Sequence, residues 1–274
     1  MNKAEKFYKL HKGGDTFVMA NAWNAGSAVL LEEAGFQAIG TTSAGIAFSQ
    51  GLPDYQGSLS FDNALSETQK IASAVSIPVS MDAEDGYGST PEEVAECFTK
   101  IAASGAVGAG IEDHPGGEGQ RLYDIGEAVD RVRAAREATI NLASPFTLTA
   151  RAECFLVGQE NAFAESVKRV NLYREAGADC LFVPGIKDLE VIRQLVSEVD
   201  GPVNVVMGLS GKPVSVAELK DAGVTRISIG GSLARATFGL VRNAAREILD
   251  QGSFGYASQQ IPDAELCALF ADKK

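Results

Sequence analysis

Between residues 79 and 88 the chain reads Val-Ser-Met-Asp-Ala-Glu-Asp-Gly-Tyr-Gly, an apolar run that ends in three carboxylates, Asp82, Glu84 and Asp85. After Pro78 the run reads as a buried strand, and its glycines release the backbone into a loop where the acids arrive. Carboxylates crowded together repel one another unless shared protons or a cation relieve the repulsion, so this is a candidate divalent-metal site. A solvated acidic turn between strand and helix is the competing reading. Further acids follow in Glu112-Asp113-His114, and Arg151 stands two residues before Glu153. With no histidine or cysteine at ligand spacing, the donors are oxygens, which suit Mg²⁺, with Mn²⁺ as a substitute, rather than zinc. The planar fork of Arg151 matches a substrate carboxylate or a developing oxyanion. An internal salt bridge to Glu112 or Glu153 is its other possible role.

These side chains need elements to position them, and one unit recurs along the chain. A helical lead-in covers 4–12, a strand 16–21 and a helix 25–34; further strands are expected at 38–42, 79–82, 109–112, 147–150, 180–183, 203–207 and 226–229. Gly35, Gly105, Gly177 and Gly223 sit where a left-handed residue closes a helix before the next strand. Eight apolar strands alternating with amphipathic helices imply a closed (β/α)₈ TIM barrel rather than an open doubly wound sheet. The expectation is one barrel domain over 1–274, with 253–274 as a C-terminal helical extension. Chemistry in such barrels sits at the strand C-termini. There the chain offers Trp23 after strand one, Ser43 and a long loop through Asp54 after strand two, and the acids after strands three and four. Arg151 ends strand five, and Asn204 on strand seven joins Trp23 among the candidate substrate contacts. No strand ends in a lysine that could form a Schiff base, because Lys187 falls beyond the Gly185 turn. Glycines at 208–211 and 230–231 could form a phosphate site or simple tight turns.

Composition narrows the partners. A net charge of −12 opposes encounter with nucleic acid or an anionic membrane, while small anions remain accessible through a metal or helix N-termini. Cys97, Cys154, Cys180 and Cys267 lack metal or redox spacing and read as free thiols of a reducing cytosol. Neither an apolar leader nor a membrane-length segment is evident, so a soluble, cytoplasmic protein is expected.

Five segments in order, Thr42-Ser43-Ala44-Gly45, Gly51-Leu52-Pro53-Asp54, Asp82 through Gly88, Ile111-Glu112-Asp113 and Ala150-Arg151, resemble the isocitrate lyase / phosphoenolpyruvate mutase superfamily. The resemblance implies a Mg²⁺-dependent barrel that makes or breaks a C–C or P–C bond beside a 2-oxo or 2-hydroxy acid. It implies that Asp82, Glu84 and Glu112 hold Mg²⁺ directly or through water, that Asp54 supports the metal shell, and that Arg151 binds substrate. Backbone N–H groups of Ser43, Ala44 and Gly45 would meet substrate oxygens. A homodimer or homotetramer is implied, with the helix at 261–270 exchanged between subunits; packing on its own barrel is the alternative.

The departures are as informative. Lyases of the superfamily resemble one another in a loop cysteine after strand four, whereas this chain has 114–121 without cysteine, and His114 stands where the phosphonate enzymes resemble one another in a lysine. Cleavage of a C–C bond next to a 2-oxo carboxylate through a metal-stabilised enolate is therefore expected, with decarboxylation of a small oxo diacid its least demanding form. His114, Tyr87 and Glu118 are the candidates for proton transfer, and the glycines at 116–119 for a lid. P–C chemistry, and a non-catalytic barrel that binds small anions, remain the alternatives.

Overall fold

The structure, a computed structural model, describes residues 1–54, 57–116, 121–209 and 214–271. Its strands are β1 Phe17–Ala22, β2 Ile39–Thr41, β3 Val79–Asp82, β4 Gly108–Glu112, β5 Thr147–Arg151, β6 Cys180–Phe182, β7 Val203–Val206 and β8 Arg226–Ser228. Each pairs in parallel with the next, and β1 pairs with β8, which closes the barrel. The helices are α1 Lys3–Lys12, α2 Ala25–Glu33, α3 Ser43–Ser49, α4 Phe61–Ala74, α5 Pro91–Ala103, α6 Ile125–Thr139, α7 Ala162–Glu175, α8 Leu189–Glu198, α9 Val216–Asp221, α10 Ser232–Gln251 and α11 Asp263–Ala271. The strands are buried on both faces, as a sheet covered by helices outside and side chains inside requires. β3 is buried along its length until Asp82 emerges at its end.

The N-terminal end of the barrel is sealed by α1. A reciprocal cap between Asn2 and Glu5 starts this helix. Phe7 then reaches so close to β4 that a Cβ on Gly108 would lie 2.9 Å from its ring. His11 stacks edge-on against Phe7 and Phe17, with ring centroids 4.7 and 5.1 Å away. Its Nδ1 lies 2.9 Å from the carbonyl of Phe7 and its Nε2 lies 3.2 Å from Nη1 of Arg226. An arginine can only donate, so Nε2 accepts and Nδ1 carries the proton.

Strand boundaries fall within one or two residues of those expected. One element differs: the loop anticipated after β2 begins with α3, because Thr42 accepts the Gly45 N–H and Ile46 and Ala47 are buried. At the other end α10 runs for 20 residues and buries only Ala234. A 3₁₀ turn, Gly255–Gln259, leads into α11, which lies against α2 of the same chain, with Phe270 beside Gly26. No described helix is long and apolar enough to cross a membrane.

Burial and the neighbouring Arg226 charge hold the His11 pKa at about 3, below its ordinary value. Between about pH 6.5 and 3 the unfolded chain therefore binds a proton that the folded chain refuses, and stability falls as pH falls through that window. Urea midpoints measured from pH 7 to 4 should drop for the native chain and drop less for His11→Gln. Parallel curves would contradict this assignment.

Candidate active site

At the end of β3 the chain takes an uncommon path. Glu84 and Tyr87 have left-handed φ values of 44° and 57°, conformations that non-glycine residues adopt only where the surroundings enforce them. Two anchors do so here. The Glu84 carbonyl accepts the Glu112 N–H at 2.8 Å. Asp85 accepts the Tyr123 hydroxyl at 2.7 Å and lies 3.2 Å from Nη2 of the buried Arg131. The acidic run is thereby split, with Asp85 drawn toward α6 while Asp82 and Glu84 line the barrel cavity.

Asp82 Oδ2 accepts both the backbone N–H and the hydroxyl of Ser43, each at 2.9 Å. Ser43 opens α3, so the amides expected to meet substrate belong to the first turn of a short helix, where N–H groups lack intrahelical partners. Ser43 and Ala44 line the cavity. Gly45 lies behind them, where a Cβ would meet Thr42 at 2.6 Å and Trp23 at 2.9 Å. Trp23 is thus a buttress of α3, outside the cavity lining.

Arg151 takes the internal salt bridges that its sequence context allowed, and it also faces the cavity. It pairs with Glu112 Oε2 at 3.0 Å and with Glu153, its guanidinium lies 5.1 Å from the centre of the Phe182 ring, and it lines the cavity. Asp113, next to Glu112, turns the other way. It accepts the Glu153 N–H at 2.8 Å and the Tyr173 hydroxyl at 2.7 Å, and pairs with Arg169 at 3.1 Å. That triad fixes the start of the loop after β5 and so orients Glu153 toward Arg151.

The cavity has a volume of about 690 Å³, within the range of small-molecule sites. It gathers Asp54, Asp82, Glu84, Glu112 and Arg151 near the mouth and Asn204 deeper down. Tyr87 and His114 stand behind this wall: Tyr87 faces Glu84, and His114 accepts the Gly116 N–H at 3.1 Å on Nδ1. Glu118, most of the expected lid (117–119) and part of the 208–211 turn lie outside the described residues. Lys187, set aside above as distant, does line the mouth, as do Arg235 and Phe155. No motif marked them, since each follows its strand by several residues. Arg226 was also missed, although an arginine at the start of a barrel strand was a readable signal.

Crowding shows in the proton affinities. Burial and the Asp82 charge push Glu84 up to about 8, with the Tyr87 hydroxyl pulling against them. Burial holds Glu112 well above the usual carboxylate range, opposed by Arg151 and reinforced by Glu153, Asp82 and Glu84. Among the described residues no three acid, histidine or cysteine side chains form a metal cage on their own. The wall offers only oxygen donors around a carboxylate that binds a proton to relieve repulsion. This fits a cation held by one or two carboxylates with water completing the shell, as Mg²⁺ prefers.

Comparison with known proteins places this geometry in context. Residues 7–249 match the family described as phosphoenolpyruvate phosphomutase. A Burkholderia cenocepacia J2315 protein, assigned only provisionally as a lyase/mutase, superimposes with a TM-score of 0.93 at 42% identity, over 98% of this chain and 95% of its own. An uncharacterized Mycobacterium tuberculosis (strain H37Rv) protein is 30% identical over 97% of this chain and 96% of itself. The 2-methylisocitrate lyase of Escherichia coli K12 is 35% identical over 66% of this chain and 61% of its own length.

Two outcomes are expected of the acidic wall. In the metal-free protein Glu84 keeps its proton between its unfolded pKa of 4.5 and its folded value of about 8, so its contribution to stability falls as pH rises through that window. Titration of Mg²⁺ at pH 7 should then release protons, read from the dependence of the heat on buffer ionisation enthalpy, and Glu84→Gln should reduce the release. Asp82→Asn, which can still accept from Ser43, should melt near the native temperature yet bind Mg²⁺ at least about tenfold more weakly. Equal Mg²⁺ affinity in that variant would remove Asp82 from the ligand set.

Proposed function

The chain belongs to the phosphoenolpyruvate mutase / isocitrate lyase superfamily, and on that premise we propose that it cleaves the C–C bond next to a 2-oxo or 2-hydroxy carboxylate with Mg²⁺ as cofactor. The superfamily contains C–C lyases and decarboxylases as well as P–C mutases and acts on small carboxylates. The observation that carries the reading is Arg151, clamped by Glu112 and Glu153 yet exposed to a cavity whose facing wall is acidic. An anion entering there meets a cation already positioned, with little side-chain entropy left to lose.

Asp82, Glu84 and Glu112 would hold the ion directly or through water, with Asp54 supporting the shell. Once bound, Mg²⁺ would supply positive charge beside the 2-oxygen, which in a 2-oxo acid takes up the electrons released by cleavage. Arg151 orients the C1 carboxylate through charge-assisted hydrogen bonds. Ala44 adds an N–H donor from the first turn of α3 for a substrate oxygen, while Ser43 spends its N–H and hydroxyl on Asp82 and Gly45 spends its N–H on Thr42. Burial and neighbouring acids keep the Tyr87 hydroxyl protonated, so it stays a donor facing Glu84 and helps to orient that carboxylate. His114, close enough to Glu153 to influence it, stands behind the pair that Glu153 makes with Arg151. No protein nucleophile is required. Leu240, Val241 and Leu249 on α10 leave an exposed apolar face that supports self-association as a homodimer or homotetramer.

Steady-state assays with Mg²⁺ test this reading. Oxaloacetate should turn over faster than 2-methylisocitrate, for which no loop cysteine is present as acid, and Arg151→Met should lower kcat/KM by about a hundredfold or more. Efficient release of pyruvate from phosphonopyruvate would favour P–C chemistry instead. Absence of turnover on all three, with Mg²⁺ and oxalate still bound together, would leave an anion-binding barrel.

A further inference from the structure

The floor of the cavity holds a cation that the chemistry above does not use. Arg226 is 3% exposed and lines the cavity from the first residue of β8. Its Nε donates to Asn204 Oδ1 at 2.8 Å, and its Nη1 meets His11 Nε2 at 3.2 Å. Both partners are neutral. Among the described residues no carboxylate lies within ion-pair distance of it, although the chain carries a net charge of −12. The other buried arginines, Arg131 and Arg169, differ, as does the half-buried Arg151: each has an acid beside it. Burying a guanidinium without a counter-charge is unfavourable, and burial does lower the Arg226 pKa.

The interior leads down to this cation. Gly40, Ser80 and Gly110 line the cavity with little or no side chain, and Thr149 contributes a buried hydroxyl that has no oxygen or nitrogen partner. Arg151, Phe182, Asn204 and Arg226 follow one register line across four strands, which puts Arg226 roughly 14 Å along the wall from Arg151 at about 4.8 Å per strand. Oxalate or pyruvate at the mouth would leave most of the cavity empty.

We propose that Arg226, oriented by Asn204 and His11, is a second anion subsite that takes the distal carboxylate of the substrate. The substrate class narrows to a 2-oxo or 2-hydroxy acid with a further carboxylate at its far end. Arg151 and the acidic wall bind the reacting end, and Arg226 selects the length and charge of the tail. This rests on the proposed function for the reacting end but not for the subsite itself.

The test is calorimetry with Mg²⁺ present, using oxalate and the matched pair 2-oxoadipate and 2-oxohexanoate, which differ by the terminal carboxylate. The native chain should bind 2-oxoadipate about tenfold or more tightly than 2-oxohexanoate, the size expected of one charge-assisted hydrogen bond. Arg226→Met should reduce the preference to less than about twofold while oxalate affinity holds. Should Arg226→Met fail to fold, Asn204→Asp carries the test: it places a fixed carboxylate on Arg226, so it should remove the preference and melt no lower than the native chain. A native chain without the preference, or a preference that survives in either folded variant, overturns the subsite. Inorganic phosphate competing with 2-oxoadipate but not with oxalate, in a native chain that lacks the preference, would identify a general anion trap and overturn it as well. Failure of oxalate to bind the native chain with Mg²⁺ would count against the proposed function, while the matched pair still decides the subsite.

Discussion

Repulsion among acids at one end of the barrel is the constraint around which this structure is arranged. Asp82, Glu84, Asp85, Glu112, Asp113 and Glu153 all leave β3, β4 or β5 within a few residues of the strand end. Their charges could not share so small a volume unaided. The fold answers with separate partners: Arg131 for Asp85, Arg169 for Asp113, and Arg151 shared by Glu112 and Glu153. Asp82 is met by the hydroxyl and amide of Ser43. Among the described residues Glu84 has no cation beside it, and it is the group whose proton affinity rises into the physiological range. What remains uncompensated after the scaffold has done its part is the portion available to a ligand.

The compensating cations also divide structure from chemistry. Arg131 and Arg169 come from the helices outside the barrel, and they pull Asp85 and Asp113 away from the cavity. In doing so they tie the loops after β3 and β4 to α6 and α7, and the left-handed turn at Glu84 and Tyr87 is held from both sides. Arg151 belongs to a strand and faces the cavity with Glu112, while Glu153 holds it from behind the lining. Buried pairs of this kind add little net stability, because desolvation offsets most of the attraction. Their contribution is position. A site whose rotamers are locked before substrate arrives loses little order on binding.

At the opposite end of the cavity the economy is reversed. The rim has more acid than its cations neutralise, and the floor has a cation without an acid. The two ends lie along one wall formed by β5 through β8, on which Phe182 and Asn204 stand between Arg151 and Arg226. A ligand carrying negative charge at both ends would relieve both imbalances at once, provided that a divalent cation accompanies its reacting end. The mixed charge of the interior would let a strongly acidic chain admit an anion, since local fields outweigh the net charge at short range.

How much of this was legible in the residues alone differs by level. Strand positions, helix closures and the (β/α)₈ closure followed from apolar periodicity and glycine punctuation, which are local properties. The order of the acidic segments and Arg151 was enough to identify the superfamily and the rim of the cavity. The resemblance singled out Asp82, Glu84 and Glu112, but pattern and spacing alone did not tell which acid faces the cavity. Glu84 and Asp85 are neighbours with the same charge, and only the left-handed backbone at Glu84 and the arrival of Arg131, 46 residues later, separate them. The same holds for Glu112 and Asp113, divided by Arg169. Nor did the chain reveal α3, whose short run looks like loop until Thr42 caps it against β3. Arg226 lies in a three-residue strand buried on both sides, where alternation is too brief to tell inside from outside. Its meeting with Asn204 and His11 exists only once β8 closes on β1 and α1 seals the end. Local sequence determines which elements form, because propensity and patterning act over a few residues; the direction and partner of a charged side chain depend on groups tens or hundreds of residues away, and only the closed barrel brings those together.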